Sequence, residues 1–342
     1  MKIQLFKKLT DVPEIEKFNN NLPIFASQEY ANYLQNVKNY STIWFYGIVD
    51  SDIQFILPFA IRKKNGFKNA MFLTSTVYLS DKVDLANEQI FLNNIIEIIK
   101  QKKLCDWIAQ PPNWAIFNAV PSNSIYCEFG TYRIDLQSKS EEELFSEINY
   151  HHKRLINKSL KNNVLIKNSS ELLDDCVTVF NDAILHGNYT LPSKNEIIRL
   201  LKYLPDNTSI YVSYNEINPK SSIICFLNKF CSFAVYIGNS PGLNGENHLL
   251  HWEAIKDAKL RGIRYFDFVG ARMNPLPGSK LEGIQKFKKY FGGELIKGYL
   301  WKMPISNLKY RLYNIIIFVL YSLKFKKYKG DIIDQELKKA GN

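Results

Sequence analysis

The chain has 342 residues, 46% hydrophobic and 14% aromatic, enough to bury cores for two domains of ordinary size, which excludes disordered and fibrous classes. Its five cysteines, Cys105, Cys127, Cys176, Cys225 and Cys231, are odd in number and scattered, with no CxxC pair and no histidine at metal-ligand spacing. That pattern predicts reduced, buried thiols in a cytoplasmic protein without a metal. The net charge of +11 is uneven: residues 1–145 hold 15 basic and 16 acidic residues, and residues 146–342 hold 29 and 17. An anionic partner is therefore expected in the second part, or else a solvated basic surface.

Met1 to Lys8 contains no apolar stretch of signal-peptide length, so export is not expected. A helix is predicted over Ser27 to Val37 with Ser27 as its cap, then paired strands at Ser41 to Val49 and Ile53 to Ile61 around the turn Asp50-Ser51-Asp52. Leu85 to Lys102 predicts another helix, where Ile90, Leu92, Ile95, Ile96 and Ile99 fall near helical spacing. Strands near Asn69 to Tyr78, Leu104 to Ala109 and Tyr126 to Leu136 complete a mixed α/β layer. The polar stretch Gln137 to Glu143 marks the boundary between a first subdomain, 1–140, and a second, 141–303.

The second part predicts helices at Glu141 to Asn162, Leu172 to Leu185, Lys194 to Tyr203, Asn247 to Arg261 and Leu281 to Tyr290. Its strands are expected at Val164 to Lys167, Thr208 to Tyr214, Ser221 to Leu227, Lys229 to Ile237 and Tyr265 to Phe268.

Four segments carry candidate chemistry. In the first helix Arg154, Lys158 and Lys161 are spaced four and three apart, so they share one face, which can hold a diphosphate or a nucleic-acid backbone or can simply be solvated. The loop from Gly238, with Gly242 and Gly245, opens the next helix at Asn247 and His248. Free N–H groups and a positive dipole end there outline an anion site, although a Gly-rich connection is often only a turn. Asp267 lies in the apolar strand Tyr265-Phe266-Asp267-Phe268-Val269-Gly270, where a carboxylate has to be paired or used. It could orient an amine, accept a proton or cap a neighbouring helix. Finally Phe287-Lys288-Lys289-Tyr290-Phe291-Gly292-Gly293 ends a helix on a Gly-Gly cap and brings Lys288 near the preceding strand end. His151, His152, His186, His248 and His251 accompany no nucleophile elbow, so a triad is not expected and a surface or structural role is the default.

These segments, in this order, resemble the Fem family of peptidoglycan-bridge aminoacyltransferases and its GNAT-like relatives from polysaccharide clusters. The resemblance covers about residues 20 to 303 and is strongest from 236 to 295. It implies an α/β fold of two tandem GNAT-like subdomains, and transfer of an acyl or aminoacyl group to an amine without metal or covalent intermediate. It also places Phe287 and Lys288 at the reacting ester, with the Lys288 ammonium facing the oxyanion. The long coiled-coil insertion of tRNA-contacting Fem proteins is missing here, so the donor stays open between acyl-CoA and aminoacyl-tRNA, and the acceptor is a nucleotide- or lipid-linked precursor. A basic protein that binds RNA or an anionic surface without catalysis is the competing expectation.

In the tail, 304–342, the run Leu312 to Leu323 is apolar but shorter than a bilayer span, and Lys324, Lys326, Lys327 and Lys329 follow it. That layout predicts peripheral contact of 312–329 with an anionic membrane at its inner face, or a helix docked on the protein's own core.

Overall fold

The structure, a computed structural model, describes residues 1–49, 52–79, 85–187, 190–323 and 330–340. The chain divides into two compact units, Met1–Gly130 with Lys297–Asn342, and Thr131–Ile296. Both divisions fall inside strands. The sequence-expected boundary after residue 140 follows a composition change, whereas the division follows packing: Tyr132 and Ile134 belong to the second core.

The first unit runs β1 (Lys2–Phe6), α1 (Gln28–Lys38), β2 (Ser41–Val49), β3 (Asp52–Lys64), β4 (Phe67–Phe72), β5 (Val77–Tyr78), α2 (Leu85–Gln101) and β6 (Trp107–Ile108), and enters β7 (Ile125–Asp135). The Ser27 hydroxyl caps α1 by accepting from the Tyr30 amide at 3.1 Å. Strands β2 and β3 pair antiparallel from Ser41↔Ile61 to Val49↔Asp52, as alternation predicts, although the turn residues Asp50 and Ser51 lie outside the described residues. Phe55, Leu57, Phe59, Phe91, Ile95 and Trp301 fill one core of this unit.

The second unit contains α3 (Glu141–Glu147), α4 (Tyr150–Lys161), β8 (Leu165–Asn168), α5 (Leu173–His186), α6 (Lys194–Tyr203), β9 (Thr208–Asn215), β10 (Asn218–Leu227), β11 (Cys231–Asn239), α7 (Glu246–Leu260), β12 (Tyr265–Asp267), β13 (Ala271–Arg272) and α8 (Lys280–Tyr290). The chain then passes through β14 (Glu294–Pro304) to α9 (Asn307–Leu323) and α10 (Ile332–Ala340). The predicted helix over 141–162 is two helices. Asn149 breaks it, because its side chain accepts from the His151 amide at 2.9 Å and starts a new helix, leaving Ile148 extended. The chain's own capping box opens α3, where Ser140 and Glu143 bond reciprocally.

The strand order of the second unit is β7-β12-β11-β10-β9-β8. Neighbours are antiparallel except β11 and β12, which run parallel through Cys231↔Tyr265, Ser232↔Phe266 and Phe233↔Asp267. Helix α7 makes the crossover between those two strands. After Phe233↔Asp267 the pairing stops, while β11 continues to Asn239 on β10 alone. In open α/β sheets the crevice at the carboxyl ends of such strands is where ligands bind. All five cysteines are free and buried, and the described residues contain no group of three side chains able to hold a metal ion.

Candidate active site

At the carboxyl end of β12 the chain makes a tight turn governed by Asp267, which is 1% exposed. Its Oδ1 accepts from Thr131 Oγ1 at 2.5 Å and from the Val269 amide at 2.8 Å, and its Oδ2 accepts from Arg133 Nε at 3.1 Å. These bonds hold Val269 and Gly270 in consecutive left-handed conformations, φ 53° and 77°. Gly270 adopts this region freely, but for β-branched Val269 it costs about 1–3 kcal/mol. Asp267 is thus paired rather than free, and its bonds shape the turn.

The turn aims two backbone carbonyls at one ammonium. Lys288 Nζ, on the buried face of α8, donates to Val269 O at 2.9 Å and Gly270 O at 2.5 Å. Burial pushes its pKa down from 10.5 to about 8, with the Asp267 charge opposing the shift. An ammonium has three N–H groups, and two are used. The α8 neighbours behave otherwise: Lys286 is exposed and pairs with Glu282 at 2.9 Å, and Lys289 is exposed.

Beside Lys288 lies an aromatic cluster from three helices. His152 of α4 stands 4.5 Å from the His248 ring of α7 and 5.1 Å, between ring centres, from Phe287 of α8. His251 of α7 lies 4.9 Å from Phe287 and 5.7 Å from Phe291. Burial lowers the pKa of these histidines from 6.5 to about 3, 4 and 3 for His152, His248 and His251, so all three are neutral at pH 7. His251 Nδ1 is 2.7 Å from the Asn247 carbonyl, whereas His251 Nε2 and the Nδ1 atoms of His152 and His248 are buried without a hydrogen-bond partner among the described residues. Buried polar atoms of this kind are exceptional and call for an explanation.

The glycine loop differs from an open anion cradle. Gly245 has φ 113°, and a Cβ there would sit 2.6 Å from Leu155 O and 2.5 Å from Ser159 Oγ, so it packs α7 tightly against α4. Glu246, in the first turn of α7, accepts from the Asn244 amide at 2.5 Å, placing a carboxylate where an anion would need a donor. Gly242, φ 75°, faces open space. The side chain of Asn247 accepts from Ser221 Oγ at 3.3 Å.

The structure therefore gathers Phe287, Lys288, His248 and the Asp267 turn. Arg154, Lys158 and Lys161 stand on the exposed face of α4, opposite His152, and Lys158 reaches the loop by donating to Asn244 Oδ1 at 2.9 Å. Sequence reasoning passed over Arg133 and Thr131, gave His152 and His251 a surface or structural role by default, and quoted Phe291 only as part of its motif. One signal was available: His248, His251 and Ile255 recur at core spacing, as do His152 and Ile156.

Residues 193–317 match the FemAB family. The fold is similar to that in the crystal structure of FemX, with TM-score 0.68 and 12% identity over 91% of this chain and 99% of that one. It is also similar to the C-terminal domain of a putative lysylphosphatidylglycerol synthetase from Agrobacterium fabrum, at TM-score 0.50 and 10% identity over 81% and 89% of the two chains. A conserved protein of unknown function from Bacteroides thetaiotaomicron gives TM-score 0.51 and 12% identity over 89% and 100%. No curated protein sequence matches the chain. The fold is like that of FemX over most of the chain. Residues 193–317 carry the FemAB likeness, and this segment contains His248, His251, Asp267, Phe287 and Lys288.

Proposed function

We propose that the second unit transfers an acyl or aminoacyl group from acyl-CoA or aminoacyl-tRNA to an amine of a cell-envelope sugar or peptide precursor. The observation that carries this reading is the buried Lys288 ammonium, held by two carbonyls of a strained turn with one N–H left over. As the acceptor amine attacks the donor carbonyl, negative charge grows on the carbonyl oxygen, and a fixed cation stabilises that state more than the neutral carbonyl. The new C–N bond forms, the C–S bond of a thioester or the C–O bond of an ester breaks, and the amine proton ends on the leaving sulfur or oxygen. Phe287 packs beside the reacting group and His248 lines it, while Asp267 acts through the turn as a positioning residue. Donor phosphates fall to the exposed row Arg154, Lys158 and Lys161, with Gly242 at its edge.

The test incubates the protein with acetyl-CoA or charged tRNA and with UDP-amino-sugars or muropeptides, and reads products by mass spectrometry. An acceptor heavier by one acyl or aminoacyl group is the expected result. Absence of any adduct across these pairs would overturn the reading.

A further inference from the structure

A protonated nitrogen has no lone pair with which to attack a carbonyl carbon, so an acceptor that arrives as an ammonium must first lose a proton to a base. Around Lys288 the second unit offers no free one. Asp267 is the carboxylate whose charge is felt at Lys288, and both its oxygens are taken, Oδ1 by Thr131 and the Val269 amide and Oδ2 by Arg133. Glu246, in the first turn of α7, is turned to the Asn244 amide. His152 stands edge-on to His248, and His248 and His251 stand edge-on to Phe287, so the three imidazoles face rings instead of carboxylates. His251 Nδ1 lies against the Asn247 carbonyl, which can only accept. That atom therefore carries the ring proton, and Nε2 keeps a bare lone pair sealed off without a donor. Burial without a countercharge disfavours the imidazolium in all three, and their lowered pKa values agree. The other titratable rings touching the cluster are His151 and Tyr290, and the His151 charge also opposes protonation of His152 and His248.

The same surroundings repel an ammonium. A nitrogen attacking a carbonyl whose oxygen faces Lys288 comes to within about 5 Å of Nζ. At that distance and an effective dielectric constant of about 20, a second positive charge is disfavoured roughly a hundredfold or more. We propose, resting on the transfer reading above, that this site takes its acceptor nitrogen as the free amine, and so selects weakly basic amines, an α-amino group or a sugar amine, over the ε-amine of a lysine side chain. At pH 7 about one α-amino group in ten is uncharged, against about one lysine side chain in two or three thousand, so the preference amounts to roughly a few hundredfold. The neutral nitrogen then has one proton to lose as it becomes an amide, and that proton leaves with the thiolate or alkoxide.

The experiment gives the full chain acetyl-CoA or charged tRNA as donor and three acceptors: UDP-glucosamine, a muropeptide whose free amine is a lysine ε-amine, and the peptide Ala-Glu-Lys, which carries both kinds of amine. Fragmentation mass spectrometry maps the modified nitrogen, and rates are taken from about pH 6 to pH 7. Expected is acylation of the sugar nitrogen or of the peptide's α-amine, with the ε-amine slower by about a hundredfold or more. For the preferred acceptor kcat/KM should rise about tenfold per pH unit below the acceptor's own pKa, while kcat changes less. Acylation of the ε-amine at a comparable or higher rate, or a kcat/KM that stays flat over this range, overturns the proposal and leaves transfer itself intact. No adduct on any of these nitrogens removes the transfer reading, and this proposal with it.

Discussion

A buried ammonium is unstable unless its surroundings compensate, and Lys288 is compensated only in part. The drop of its pKa from 10.5 to about 8 corresponds to about 3 kcal/mol against the charged form, even with Asp267 nearby. A residue held this way is tuned, because its charge is lost just above neutral pH. If the ammonium stabilises the oxyanion, turnover must fall as pH rises through about 8, since the neutral amine cannot supply the charge. A pH–kcat profile of the transfer reaction checks this, with a descending limb near pH 8 as the expected outcome. Turnover that climbs through pH 8 to a plateau would make Lys288 a base. Asp267, read from the sequence as a carboxylate needing a partner, has three, and they all serve the turn.

Among the elements, α4, α7 and α8 meet through a cluster of rings. The three histidines there have folded-state pKa values of about 3, 4 and 3, below the ordinary 6.5. Between pH 6.5 and about 3 the unfolded chain therefore binds more protons than the folded one, and stability falls as pH falls through that window. His152→Phe keeps the tilted ring contacts with Phe287 and Phe291 while removing one titrating group, so melting temperature should drop less between pH 7 and pH 5 than in the wild type. An unchanged pH slope would place the acid sensitivity elsewhere. Helix α6 was legible at its observed bounds, because the signals involved are local, and the structure adds the Ser193–Glu196 capping box that opens it. The break at Asn149 was not, since an asparagine inside an amphipathic run reads equally as a helix surface residue. Strand β14 escaped as well: its Lys302 is buried against Asp331 and Asp334, which meet it from 29 and 32 residues away. The histidine cluster had the correct helical spacing, but neutrality depends on rings from α8 that the local sequence does not reveal.

On the scale of the whole chain, the charge asymmetry noted at the outset separates into two features with different physical meaning. One is the exposed row on α4 near the candidate site, and the other is the acid-free stretch around α9, whose Lys324, Lys326, Lys327 and Lys329 lie outside the described residues. The likeness to the Fem family was read from motif order, and a similar fold is found where overall identity has fallen to 12%. The central claim is that Lys288 supplies the positive charge for acyl transfer, and turnover of Lys288→Met beside Lys286→Met and Lys289→Met tests it most directly. Methionine keeps much of the side-chain packing and deletes the charge, and the two neighbours are exposed on other faces of α8. The expected result is a loss of roughly a hundredfold or more in kcat for Lys288→Met, with little change for the other two. Equal and small losses at all three positions would contradict the account.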